Sequence, residues 1–321
     1  MSFKLVLMPP QEAGVERWVE AVRAAVPDIV IATPKTDDAA RTDIADADAA
    51  YGTVPKDALA ATRKLRWIQS AMAGPPRGYY YPELIAHSAV VTNVRGIYND
   101  YIAPHIMAFV LAYARGLHLY IAEQTRAEWN RRPAGSAVQL QGTTALIVGV
   151  GGIGGETARL CAAFGIRAIG VDARIEQAPA GIIELHPPEE LDRLLPQADW
   201  VIVTVPQTPQ TEGMFDERRF ALMKPTSFFV NIGRGTTVRL DALDQALRDG
   251  QIGGAGLDVF EVEPLPPEHP LWTAPNLIIT PHVSGLGPDL PDRRLQVLVE
   301  NCRRFAADEP LLNIVDKANW F

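Results

Sequence analysis

A chain of 321 residues, 47% of them hydrophobic, exceeds one ordinary core, and its length points to two domains of roughly 100 to 200 residues each. A net charge of -8, with no basic run or RNA-type aromatic motif to offset it, argues against nucleic acid as a partner. Two widely separated cysteines, Cys161 and Cys302, argue against a disulfide framework and for a reducing compartment, by default the cytoplasm.

The opening MSFKLVLMPP has too short an apolar core for a signal peptide before Pro9 and Pro10, and reads as a first strand. From residue 3 to 94 the apolar runs FKLVLM, DIVIAT, DAAYG, LRWIQS and AVVTNV alternate with helical stretches such as GVERWVEAVRAAV, the rhythm of a parallel α/β unit. A long helical pattern follows RGIYND, with Asn99 or Asp100 as N-cap and Gly116 interrupting it late. Its apolar part, Ile102 to Ala122, carries His105, Arg115 and His118, so it reads as a buried helix and not as a membrane span.

A second, more regular series runs from Thr143 to Thr280: TTALIVG, IRAIGVD, WVIVTVP, TSFFVNIG, GGAGLDVF and NLIIT, with LDALDQALRDG a helix closed by Gly250. This is the pattern of a doubly wound sheet. The last stretch places Leu295, Leu298, Val299 and Cys302 at helical spacing and suits a helix that returns to the first domain. The expected fold is therefore α/β, with two doubly wound parallel-sheet domains: a flavodoxin-like domain of residues 1–98 and 286–321, and a Rossmann-type domain of residues 99–285.

Within TTALIVGVGGIGGETARLCAAFG, Gly149, Gly151 and Gly154 form G-x-G-x-x-G between an apolar strand and an amphipathic helix. The first glycine permits a tight turn and the second lets backbone approach a pyrophosphate. The third lets helix and strand pack closely, and the free amides of the helix start attract the anion. Asp172, closing the next strand about twenty residues on, falls where the ribose hydroxyls of NAD would lie. Its carboxylate repels a 2'-phosphate and favours NAD over NADP, while Arg174 keeps NADP open.

Ligands of open parallel sheets gather outside the carboxyl ends of strands, and the predicted strands bring Gly149, Asp172, Val205 with Pro206, Arg234, Asp258 and His282 to one edge. Arg234, on the glycine-flanked turn FFVNIGRG, is a fixed cation able to grip a carboxylate and polarise an adjacent carbonyl. His282, in IITPH, is suited to donate a proton in reduction and accept one in oxidation. The histidines and cysteines show no metal-ligand spacing, so no metal is expected.

The segments GVGGIG, TVPQTPQTEGMF, NIGRG, GLDVFEVEPLP and TPH resemble the D-isomer-specific 2-hydroxyacid dehydrogenase family. The likeness is strongest from about residue 142 to 284, and the first 90 residues share mainly its rhythm and the WIQSAMAG and VVTNVRG segments. The resemblance implies Arg234, Glu263 and His282 as the catalytic centre, with Glu263 paired to His282 and fixing its tautomer. It implies contacts to the dinucleotide from Gly152, Ile153, Ile232 and Gly233 beside the three motif glycines and Asp172. Val205, Pro206 and Thr211 would border the adenosine and pyrophosphate, and Asp258 would hold the nicotinamide carboxamide. Ala73 and Gly74 join Arg234 as substrate contacts, and a homodimer is implied. The expected reaction moves hydride between NAD(H) and a small 2-hydroxy or 2-oxo acid.

Two features depart from the family pattern. Pro75 and Pro76 follow Ala73 and Gly74 and lack an N–H for a substrate carboxylate; Arg77, Arg95 and the Tyr79, Tyr80, Tyr81 run lie nearby but read first as surface or packing. Pro104 stands where relatives place glutamate, near a helix start where proline is tolerated. The alternative reading is a protein that senses NAD(H) without turnover, like corepressors related to this family. Formate dehydrogenase relatives carry glutamine where Glu263 stands, and the chain ends soon after the returning helix, so a regulatory domain of the phosphoglycerate dehydrogenase kind is not expected.

Overall fold

The computed structural model describes residues 2–74 and 78–320, divided into two compact units, residues 1–97 with 287–321 and residues 98–286. In the first unit five parallel strands, β1 Lys4–Leu7, β2 Val30–Ala32, β3 Ala49–Tyr51, β4 Trp67–Gln69 and β5 Val90–Thr92, lie in the order β2-β1-β3-β4-β5. That order is the flavodoxin-like one. The helix Val15–Ala25 turns Val15, Trp18 and Val22 inward, and the helix Leu290–Ala306 packs on the same cluster through Leu295, Leu298 and Cys302.

The second unit carries seven parallel strands: β6 Thr144–Val148, β7 Arg167–Val171, β8 Ile182–His186, β9 Trp200–Val203, β10 Phe228–Asn231, β11 Gly254–Leu257 and β12 Leu277–Ile279. Their order, β12-β11-β10-β9-β6-β7-β8, is the Rossmann winding with one strand added at the β12 edge. The central strands are apolar runs such as WVIV because parallel sheets are covered by helices on both faces, and all four of those residues are buried. Register pairs Val148 of β6 with Val203 of β9, so the loops leaving those two strands sit side by side where the winding reverses.

All eleven predicted strands form. The one not predicted is β8, an edge strand whose Ile183 and Glu184 are exposed and which pairs only with β7. The long helix runs Asn99–Ala114 with Tyr98, not Asn99 or Asp100, as N-cap. It breaks at Gly116, whose φ is 65°, and the helix Leu117–Gln124 turns away by 73°. Pro104 stands inside this helix beyond its first turn. Its missing N–H removes one internal bond without breaking the helix. Ile106, Phe109 and Val110 bury that helix against Trp200, Phe228 and Val230 of the sheet. No single helix among the described residues is long and apolar enough to cross a membrane.

Candidate active site

The glycine loop follows β6 directly. Gly149 has a φ of 95°, a backbone state that only glycine adopts without strain. A side chain at Gly154 would lie 2.0 Å from the Gly149 carbonyl oxygen, so the helix Gly152–Ala163 approaches its strand as closely as backbone allows. Over Gly151, by contrast, nothing stands within 4 Å of an added Cβ. That open face, beside the first-turn amides of Gly152, Ile153 and Gly154, fits a dinucleotide pyrophosphate.

Two side chains fasten the loop from below. Asp172 accepts from the Val150 N–H at 2.8 Å through one carboxylate oxygen, and from the Arg174 and Ile175 amides at 2.8 and 3.1 Å through the other. Thr204, at the end of β9, donates to the Gly149 carbonyl at 2.5 Å. Next to it Val205 covers Gly149, with its Cγ1 3.0 Å from where a Cβ would stand. Thr211 turns its hydroxyl inward to the Pro206 carbonyl at 2.7 Å and accepts the Thr208 amide at 2.8 Å, closing the turn that leaves β9.

Arg234 stands one turn beyond β10. The fully buried Asn231 accepts the Gly233 N–H at 3.0 Å and donates to the Arg234 carbonyl at 3.0 Å. The Thr237 hydroxyl reaches the same carbonyl at 2.7 Å, and Arg234 donates from Nη1 to the Gly233 carbonyl at 2.6 Å. Ile232 is buried beneath this turn. Burial draws the guanidinium below the usual arginine value, opposed by the charges of Glu263 and Tyr98, yet arginine stays cationic in proteins.

Glu263 lies near enough for its charge to act on that cation, and it pairs directly with the imidazole. Its Oε2 lies 2.7 Å from Nδ1 of His282, and its Oε1 accepts the Phe260 N–H at 2.9 Å. His282 is solvent-exposed, at a backbone φ of 54°. With Nδ1 held by Glu263, Nε2 is the nitrogen left to exchange a proton with a ligand. Asp258, fully buried at the end of β11, accepts from the Thr280 hydroxyl and the Val283 and Ser284 amides at 2.6, 2.9 and 2.9 Å. Its carboxylate is thus bonded to the turn that carries His282.

Ala73 and Gly74 belong to the other unit, where the buried Asn93 donates to the Ala73 carbonyl at 2.9 Å. Pro75, Pro76 and Arg77 lie outside the described residues. Tyr79 and Tyr80 are packed in the core of that unit, and Tyr81 donates to the Val54 carbonyl at 2.9 Å. Among the described residues no three His, Cys, Asp or Glu side chains gather as a metal site. Sequence reasoning passed over Thr204, Asn231 and Thr280. Each adjoins a motif residue, and Asn231 in particular, a polar side chain ending an all-apolar buried strand, is itself a signal that a loop is being held.

The family model for the NAD binding domain of D-isomer specific 2-hydroxyacid dehydrogenases matches residues 107–284. D-3-phosphoglycerate dehydrogenase of Methanocaldococcus jannaschii is 30% identical over 298 residues, 92% of this chain and 56% of that protein, so this chain spans little more than half of that relative. Glyoxylate reductase of Korarchaeum cryptofilum is 34% identical over 233 residues, 71% of this chain and 69% of that one. The crystal structure of a D-isomer specific 2-hydroxyacid dehydrogenase from Xanthobacter autotrophicus, in complex with NADPH and MES, superposes with a TM-score of 0.84 at 28% identity over the whole of both chains.

Proposed function

The chain belongs to the D-isomer-specific 2-hydroxyacid dehydrogenase family, and on that premise we propose that it interconverts a small 2-oxo acid and its D-2-hydroxy acid with a nicotinamide dinucleotide. The observation that carries this reading is the 2.7 Å pairing of His282 Nδ1 with Glu263, on the same sheet edge as Arg234 and the glycine loop.

A bound reduced nicotinamide supplies the hydride. Arg234 grips the substrate carboxylate and polarises the adjacent carbonyl, its charge set in place before substrate arrives. His282, protonated, donates from Nε2 to the carbonyl oxygen as it gains negative charge. Glu263 holds Nδ1 and stabilises the imidazolium, as a carboxylate does in other acid–base pairs. In oxidation the same nitrogen accepts the hydroxyl proton. Asp172 favours NAD, because its negative charge meets the position of a 2'-phosphate.

The working form is a homodimer. Leu117, Ile121 and Trp129 are 47%, 61% and 93% exposed within one segment of the second unit, apolar side chains that a partner subunit would cover. The free thiols of Cys161 and Cys302 are both buried, which suits a reducing compartment such as the cytoplasm.

The test is oxidation of NADH and of NADPH, followed by absorbance, against 2-oxo acids from glyoxylate and hydroxypyruvate to phenylpyruvate, with His282→Ala beside the wild type. Turnover that disappears in the variant supports the reading. Tight NADH binding without turnover on any acid overturns it in favour of a sensor.

A further inference from the structure

His105 lies on the buried helix Asn99–Ala114 and belongs to none of the groups above, yet its Nε2 is 3.0 Å from the hydroxyl oxygen of Thr280. Thr280 has one hydroxyl proton, and it lies in a 2.6 Å bond to the Asp258 carboxylate. A hydroxyl that donates there has only acceptor capacity left for His105, so the imidazole is the donor and carries its proton on Nε2. Burial holds the pKa of His105 down, against the pull of Asp258 at 4.0 Å, which suits a neutral ring.

Every hydrogen bond described for Asp258's carboxylate comes from the segment 280–284. Two of those donors, the amides of Val283 and Ser284, follow His282 immediately. A residue other than glycine with a φ of 54° occupies an uncommon backbone state, and these bonds hold the two residues that follow it. The helix reaches Thr280 because β11 presents Gly256 to it: a side chain there would stand 2.7 Å from Phe109. Phe109 in turn meets the His105 ring edge-on at 4.8 Å.

We propose that His105 is a positioning residue for His282, acting through Thr280 and the buried carboxylate of Asp258 to fix the turn that aims the exposed imidazole. Without the Nε2 donor, the Thr280 hydroxyl loses its second partner and rotates among alternatives, and one of the three bonds on Asp258 weakens. Bonds in such a chain strengthen one another, and the carboxylate at its end is fully buried, so its effect on the turn exceeds that of a lone surface contact.

The inference rests on the reading of His282 as the acid–base group, and the experiment separates the two. His105→Phe, His105→Gln, Thr280→Val and Thr280→Ser are each prepared alone and with His282→Ala, and His105→Phe is also combined with Thr280→Val. Steady-state kinetics are read beside amide hydrogen exchange of residues 281–284. We expect His105→Phe and Thr280→Val to lower kcat about tenfold, as misplacement of a reacting group does, with KM for the 2-oxo acid unchanged. Glutamine and serine, which keep a donor and a hydroxyl, restore most of the rate. His105→Phe with Thr280→Val is no slower than either alone, and in the His282→Ala background neither change lowers the residual rate further. Exchange at Val283 and Ser284 quickens in His105→Phe. Loss of the same size in the His282→Ala background, a raised KM with intact kcat, or unchanged exchange each overturns the inference. Should the wild type turn over no 2-oxo acid, the functional reading fails, and exchange alone still decides whether His105 holds the turn.

Discussion

The side-chain amide of Asn231 donates to the backbone carbonyl of Arg234 across 3.0 Å, so the turn that presents the cation is fastened from inside the sheet. Asn231→Ala takes this bond away and leaves the buried Gly233 amide without its 3.0 Å acceptor. An unsatisfied buried donor costs about 1 to 3 kcal/mol. We expect a lower urea midpoint together with a fall in kcat/KM of roughly ten- to a hundredfold. A variant with wild-type kinetics would show that the turn holds Arg234 without help.

Glu263→Gln keeps a hydrogen-bonding group near Nδ1 of His282 and removes the charge. Because the carboxylate sits 2.7 Å from the ring, its loss destabilises the imidazolium and allows the wrong tautomer. General acid–base groups contribute about 10²- to 10⁴-fold, and a fall in kcat within that range is expected. Quenching of protein fluorescence by NADH should titrate as in the wild type, since the glycine loop is untouched.

The two glycines of the loop should behave oppositely. Gly154→Ala forces a methyl to within 2.0 Å of backbone oxygen, and we expect poor folding and no dinucleotide binding. Gly151→Ala has open space around its Cβ and an ordinary φ of -63°. That protein should unfold at the wild-type midpoint while its Kd for NADH rises, because the methyl occupies the side from which a pyrophosphate arrives. Calorimetric titration beside thermal melts separates the two outcomes.

Cofactor choice is expected to turn on Asp172. Asp172→Asn removes a charge at the ribose end of the site while keeping an oxygen able to accept from Val150. The ratio of kcat/KM for NADPH over NADH should rise about tenfold, equivalent to about 1.4 kcal/mol. An unchanged ratio would move cofactor selection to other residues, Arg174 first among them.

Stability should fall on the alkaline side. Burial pushes the Cys161 thiol from the ordinary value of 9.0 up to about 12 and the Tyr79 hydroxyl from 10.0 to about 12, and it raises the Cys302 thiol as well. The unfolded chain therefore releases these protons first. In that window it binds fewer protons than the folded chain, and the folded state loses ground as pH rises. The contribution is complete below about pH 8, roughly a unit under the 9.0 of an unfolded thiol. It is lost progressively as pH climbs toward 12. Urea midpoints measured across this range should decline, and Cys161→Ala should flatten the early part of the decline.

The sequence reveals most of this fold because parallel strands covered on both faces are written in apolar letters. WVIV and FFVN are buried along their whole length, and their rhythm leaves little choice of architecture. Ile182–His186 escaped because an edge strand with Glu184 and His186 carries neither an unbroken apolar run nor a clean alternation. The site divides in the same way. Gly149, Arg234, Glu263 and His282 stand in local motifs, whereas His105 meets Thr280 from 175 positions away. A pairing of that span is made by the winding of the sheet, and nothing in the neighbourhood of His105 announces it.

The discontinuity of the first unit has a consequence for synthesis. Residues 98–286 are contiguous and leave the ribosome as a whole, so the dinucleotide unit can close while the chain is still growing. The first 97 residues emerge earlier, yet Trp18 and Val22 find the partners Leu295 and Leu298 only when the last helix arrives. The segment made first is thus completed last.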